Sequence, residues 1–122
     1  MSTRVLIVED EPNIVESLSF LLRRGGFEVA STGDGEAALA ALRSQPARLM
    51  ILDLMLPKAN GFEVLKAVRT DPAFAGTRVL ILTAKGQASD RRLAEAIGVD
   101  AFMTKPFSNR EIMSEVRRLT AG

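Results

Sequence analysis

Five polar residues stand at the ends of apolar runs, and their types point to one chemistry. Glu9 and Asp10 follow Val5-Leu6-Ile7-Val8, and Thr83 follows Val79-Leu80-Ile81-Leu82. Lys105 follows Ala101-Phe102-Met103-Thr104. Asp53 is the one carboxylate in the run Leu49 to Leu56, whose other seven residues are apolar. A polar group in such a place costs roughly 2–7 kcal/mol unless it is compensated, and a charge costs more. If the run ends meet, three carboxylates share one place and cannot all stay ionised unaided. A hard divalent cation resolves that repulsion, and an oxygen-only site with retained waters suits Mg²⁺. Such a set is equipped to receive a phosphoryl group on a carboxylate. Asp53 would attack phosphorus and become an acyl phosphate. The metal would neutralise phosphoryl oxygens. Lys105 would place a compact charge on another oxygen, and Thr83 would donate a hydrogen bond to a third.

The elements between these residues decide whether they meet. The runs at Arg4–Glu9, Leu49–Leu56 and Arg78–Thr83 read as strands buried on both faces, the second with its strand ending in Asp53. Phe27–Ser31 alternates apolar and polar, as an edge strand does, and Ala101–Thr104 is short. Helical spacing links Ile14, Val15, Leu18, Leu21 and Leu22, started by Pro12 and stopped by Gly25-Gly26. Ala37, Ala38, Ala41 and Leu42 mark a second helix to about Ser44, and Phe62, Leu65 and Val68 a third ending near Thr70. Ser89 or Asp90 can cap a fourth, with Leu93, Ala96 and Ile97 as its apolar face and Gly98 at its end. Ser108 and Glu111 form a capping-box pattern before Ile112, Val116 and Leu119.

Five strands alternating with five helices predict an α/β, doubly wound fold with a parallel sheet and right-handed crossovers. The three most apolar strands belong in the middle, which gives the order 2-1-3-4-5, a flavodoxin-like arrangement. Ligands of such sheets bind at the carboxyl ends of the strands. Glu9, Asp10, Asp53, Thr83 and Lys105 all fall at those ends.

Composition narrows the classes further. The 122 residues make one domain with a real core, and 47% apolar and 25% charged residues are ordinary for a globular chain. A net charge of +1, with no basic run beyond two residues, predicts no direct nucleic-acid contact. No stretch is long and apolar enough for a membrane, and Met1-Ser2-Thr3-Arg4 enters a strand at once, so neither a span nor a signal peptide is expected. The absence of cysteine fits a cytoplasmic setting. The absence of histidine removes the usual zinc sites and His-based catalysis.

The segments Val8-Glu9-Asp10-Glu11-Pro12, Leu52-Asp53-Leu54-Met55-Leu56-Pro57 through Gly61, Leu82-Thr83-Ala84 and Met103-Thr104-Lys105-Pro106-Phe107 resemble those of response-regulator receiver domains of two-component systems. The resemblance covers nearly the whole chain. It implies that Asp53 is the phosphoacceptor and that Glu9 and Asp10 form the acidic pair for Mg²⁺. It implies that the Met55 backbone carbonyl is a further metal ligand, Thr83 the switch hydroxyl and Lys105 the phosphoryl contact. Phe102 stands at the aromatic switch position, where many relatives have Tyr. The Lys105-Pro106 bond is cis in that family; from sequence alone Lys105 is only expected to be extended. The implied phosphodonor is a phosphohistidine on a sensor histidine kinase or histidine phosphotransfer protein. The chain would catalyse its own phosphorylation and dephosphorylation, a switch more than a conventional enzyme. Phosphorylation would change the surface of the fourth helix, fifth strand and fifth helix for a downstream protein. Lys85 and the Met55 side chain would flank the path of hydrolytic water.

Receivers with winged-helix output domains typically carry an acid at the place of Ala101 and a base at the place of Glu115. Their cross-subunit salt bridges are therefore not expected, and a monomer or weak dimer is. The chain ends soon after Leu119, so residues 1–122 read as a stand-alone receiver without an output domain. Two other readings compete. One is a phosphorylation-independent interaction domain on the same fold. The other is a nucleotide- or flavin-binding protein, prompted by Gly33-Asp34-Gly35-Glu36-Ala37-Ala38 with Asp53 about 20 residues on. That motif follows an edge strand and would turn Glu36 toward a pyrophosphate, so its glycines read better as a turn and helix start.

Overall fold

Parallel pairing of the apolar runs dictates the architecture. The computed structural model describes residues 2–56, 60–84 and 87–121. The strands are β1 (Arg4–Val8), β2 (Glu28–Thr32), β3 (Leu49–Leu52), β4 (Arg78–Thr83) and β5 (Ala101–Thr104). The helices are α1 (Pro12–Arg24), α2 (Gly35–Ser44), α3 (Gly61–Thr70), α4 (Ala88–Ile97) and α5 (Asn109–Thr120), with a short 3₁₀ turn at Pro72–Phe74. The sheet order is β2-β1-β3-β4-β5, all parallel, as the apolarity of the strands predicts.

Alternation along each strand splits the core in two. Val5, Ile7, Leu49, Ile51, Leu80 and Leu82 pack with Leu18 and Leu22 of α1 and Ile112, Val116 and Leu119 of α5. Leu6, Val8, Met50, Leu52, Val79 and Ile81 pack with residues of α2, α3 and α4. Side-chain caps start three helices: Asp34 accepts from Ala37 N–H at 2.8 Å, Asn60 from Glu63 N–H at 3.0 Å, and Ser108 from Glu111 N–H at 3.0 Å. The expected capping box is present, with Glu111 accepting from Ser108 N–H. Asp34 at the start of α2 accounts for the glycines of the nucleotide-like motif.

Two expectations are corrected. The strand expected to end in Asp53 stops one residue earlier, at Leu52. Asp53 N–H still donates to Val8 C=O at 3.0 Å, but Met55 N–H then bonds the Asp53 carboxylate and turns the chain away. Leu54 stays buried by folding inward, while Met55 is exposed. The second correction concerns α4. Gln87 is its N-cap, without a side-chain bond, and Ser89 and Asp90 lie inside the helix. Its inward stripe is Asp90 and Ala94, with Ile97 half-buried; Leu93 is 47% exposed and Ala96 is exposed. The helix lies beside α3 and turns Ala94 into the core, so the apolar residues one step around the helix remain outside.

The close approach of α3 to the end of β3 requires Gly61. A Cβ there would lie 2.6 Å from Leu54 Cα and 2.7 Å from the Asp53 carbonyl oxygen. Both neighbours are backbone and cannot rotate aside. Gly61→Ala is therefore expected to cost about 1–3 kcal/mol and to shift the Asp53 and Leu54 amide resonances. Urea denaturation with two-dimensional NMR checks both, and an unchanged midpoint would refute the constraint.

Candidate functional site

The register of the sheet converts distance in sequence into contact. Val8 lies opposite Leu52, Leu52 opposite Ile81, and Thr83 opposite Thr104. The residues that follow these pairs therefore emerge side by side at the carboxyl ends of the strands. Glu9, Asp10 and Asp53 can each bring a carboxylate oxygen within 4.8 Å of the others. Glu9 and Asp53 are 4% and 5% exposed, whereas Asp10 is exposed.

Lys105 reaches this cluster from the end of β5. Its ammonium donates to Glu9 Oε2 at 2.9 Å and to Asp53 Oδ2 at 3.1 Å. The second oxygen of each carboxylate is also engaged. Glu11 N–H donates to Glu9 Oε1 at 3.1 Å, and Met55 N–H donates to Asp53 Oδ1 at 3.0 Å. These bonds fix both carboxylates in place without consuming every lone pair. The Lys105-Pro106 peptide is cis. Thr83 is fully buried at the end of β4, and its neighbour across the ladder is Thr104. Lys105 N–H bonds Thr83 C=O at 2.9 Å, which ties the two strand ends together.

The electrostatics separate the two buried acids. Burial pushes the Glu9 carboxyl up; the Lys105 bond opposes this without overcoming it, and the Asp53 charge adds to the rise. Burial also pushes the Asp53 carboxyl up, but the Met55 N–H and the Lys105 and Glu9 contacts outweigh it and hold the group below its ordinary value. Burial would lower the Lys105 ammonium, yet its bonds to Glu9 and Asp53 raise it instead. Asp53 is thus an ionised carboxylate held on a fixed axis, and Lys105 is its cation.

Phe102 is 9% exposed and lies inward among the residues under α3 and α4. The Arg91 guanidinium of α4 sits 5.6 Å from its ring centroid. Sequence reasoning missed Arg91, because nothing in the spacing of α4 announces a partner on β5. It also missed the work of Gly61, although Asn60-Gly61 after a loop is a readable helix start. Lys85 lies outside the described residues.

The response regulator receiver domain family matches residues 5–117. The chain belongs to this family. Among its curated relatives are the alkaline phosphatase synthesis transcriptional regulatory protein PhoP of Bacillus subtilis and the sensory transduction protein RegX3 of Mycolicibacterium smegmatis. They are 40% and 41% identical to 98% and 94% of this receiver, which spans 49% of either. The chain therefore covers about half the length of the curated relatives it matches. A response regulator of Chloroflexus aurantiacus has a similar structure, with TM-score 0.94, 30% identity and full coverage of both chains. The receiver domain of a Pseudomonas aeruginosa sensor histidine kinase, solved with magnesium in its active-site cleft, shares the fold at TM-score 0.90 and 24% identity over both full chains.

Two outcomes follow for this receiver free of metal. Removing Lys105 leaves two buried carboxylates without their cation, so Lys105→Ala is expected to lose about 2–4 kcal/mol in chelator. Urea denaturation measures this, and equal midpoints would show that the bonds contribute nothing. The acid limb tests Asp53. Its folded pKa lies below its ordinary value near 3.8, so its stabilisation is present above that value and is lost as pH falls through the lowered pKa. Glu9, raised, acts oppositely and gains stability as pH falls through its own pKa. Asp53→Asn should therefore flatten the loss of stability below about pH 3.8, relative to wild type. An identical acid limb in the two proteins would contradict the assignment.

Proposed function

We propose that Asp53 accepts a phosphoryl group from a phosphohistidine and that the resulting acyl phosphate switches the protein. The observation that carries this reading is the ionised, immobilised Asp53 carboxylate beside Lys105 and two further acids. One Asp53 oxygen attacks phosphorus, the P–N bond breaks, and the imidazole leaves with its electron pair. Lys105 moves from the carboxylates to a phosphoryl oxygen and remains a point charge there. Thr83, at the end of the neighbouring strand, turns its hydroxyl toward another phosphoryl oxygen.

Glu9, Asp10 and Asp53 suit Mg²⁺, because they are all-oxygen donors at one point with an excess of negative charge. The Met55 carbonyl, one residue beyond the turn that its own N–H closes on Asp53, is the fourth candidate ligand. When bound, Mg²⁺ supplies charge neutralisation of the phosphoryl oxygens. The Pseudomonas kinase receiver with magnesium in its cleft supports the same ion here.

The donor fits a sensor histidine kinase or a histidine phosphotransfer protein in the cytoplasm. Output passes through α4, β5 and α5 to a downstream protein, with Thr83 and Phe102 as the moving parts. Phe102 begins inward under Arg91, so rearrangement of α4 accompanies any change at that ring. Ala101 offers no charge to a second copy, and Glu115 is taken by Arg118 at 2.7 Å, which supports a monomer or weak dimer. Residues 1–122 act as one receiver unit, with Met55 beside the water path to the acyl phosphate. The phosphorylation-independent reading is not favoured, because no residue of the phosphotransfer set is missing.

Intact mass after incubation with a small phosphodonor tests the proposal. Wild type should gain one phosphoryl group only with Mg²⁺, and Asp53→Ala should gain none. A gain that survives Asp53→Ala, or no gain from any donor, would reject Asp53 as the acceptor.

A further inference from the structure

We propose that the amino-terminal end of the sheet binds a phosphate group of a small molecule between Arg48 and Arg78, apart from the Asp53 site. Arg48 precedes β3 and Asp53 follows it, so the two poles are about 16 Å apart along the strand. At the amino-terminal pole, arginine starts β1 and β4 and immediately precedes β3 between them. Arg48 N–H bonds Arg4 C=O at 3.0 Å, and Arg78 N–H bonds Arg48 C=O at 2.9 Å. The backbones are therefore adjacent at this end of the sheet. Arg78 is in register with Leu49, one step along from Arg48, and the side chains of Arg48 and Arg78 both reach one cavity.

The charges of this row are compensated unevenly. Arg4 pairs with Glu28 at 2.6 Å. Arg78 reaches Asp100 only at 3.9 Å. Arg48 has no carboxylate partner among the described residues and sits half-buried between the other two. Like charges lining one cavity repel, and an anion bound between Arg48 and Arg78 reduces the repulsion.

Arg48 and Arg78 line a cavity of about 370 Å³, a size in the range of small-ligand sites. One wall is already rigid. Arg69 donates to Gly98 C=O at 2.7 Å and to Thr77 C=O at 2.8 Å, and it pairs with Asp100. Asp100 in turn accepts from Val79 N–H at 2.8 Å. Asp100 is the one acid in the lining, against three arginines, and those bonds occupy it. The cavity thus retains a positive excess from Arg48 and Arg78.

Guanidinium forks match the paired oxygens of a phosphate, and two forks facing one group suit a dianion better than a single carboxylate. An apolar ligand would meet mostly charged walls. Free phosphate and the phosphate of an organic ester share this chemistry, and the volume leaves room for the ester's body.

Amide NMR of the whole chain at constant ionic strength tests the site, with inorganic phosphate, adenosine monophosphate and chloride as probes. The expected result is saturable shifts at Arg48, Gly76, Thr77 and Arg78 with either phosphate and none with chloride. Tighter binding of the ester identifies an organic phosphate as the ligand, and equal binding identifies free phosphate. Arg48→Gln and Arg78→Gln should each weaken binding by about tenfold or more, with unchanged far-UV circular dichroism. Shifts that do not saturate, that chloride reproduces, that centre on Glu9 and Asp53, or that persist undiminished in both variants would overturn the proposal.

Discussion

One ammonium holds the carboxyl end of this sheet together. Lys105 lies within hydrogen-bonding distance of both Glu9 and Asp53, and each of those acids is nearly sealed from water. Without a cation, one of two neighbouring buried carboxylates would shed its charge by taking a proton. With it, Asp53 keeps its charge and Glu9 carries the strain of burial. The asymmetry comes from the backbone: the Met55 N–H favours the ionised Asp53 as the chain turns out of β3. A cluster of acids and an ionised, immobilised carboxylate are thus built by the same few bonds.

Everything else in the fold serves that placement. Parallel pairing aligns the ends of β1, β3, β4 and β5 on one side. Gly61 lets α3 start directly against the Asp53–Leu54 backbone, which fixes the turn after β3. Arg69 clamps the opposite ends, joining α3 to the segments that enter β4 and β5. The sheet therefore has an acidic pole and an arginine-rich pole, with the apolar core between them. A net charge of +1 hides this segregation, because it averages over the two.

Membership in the receiver family is consistent with this arrangement but does not explain it. The explanation lies in the cost of placing carboxylates at the edge of a dry core. Such a cluster persists only where a cation, a ring of N–H donors and a rigid backbone share the burden. The exposed Asp10 adds negative charge at the open side, where it remains solvated. The cluster is therefore reachable from solvent on one side and rigid on the other.

The five strands, their order, the meeting of Glu9, Asp10, Asp53 and Lys105 and the place of Thr83 at the end of β4 were legible in the residues themselves. Doubly buried parallel strands are continuous apolar runs, and a lone Asp in one of them needs a partner. The end of β3 was legible to within one residue, but the turn that Met55 N–H closes on Asp53 was not, because Leu54 is as apolar as the strand it leaves. The face of α4 was misjudged for a related reason. Apolar spacing marks a stripe, but docking of the helix buries small Ala94 and leaves Leu93 outside. The Arg91–Phe102 contact, the division of charge between Glu9 and Asp53, and the arginine cavity depend on side chains far apart in sequence. Residue types and periodicity determined which groups this protein has and which end of the sheet they occupy. Tertiary packing alone decided their distances, burial and partners, because those depend on register and helix docking, which no local pattern encodes.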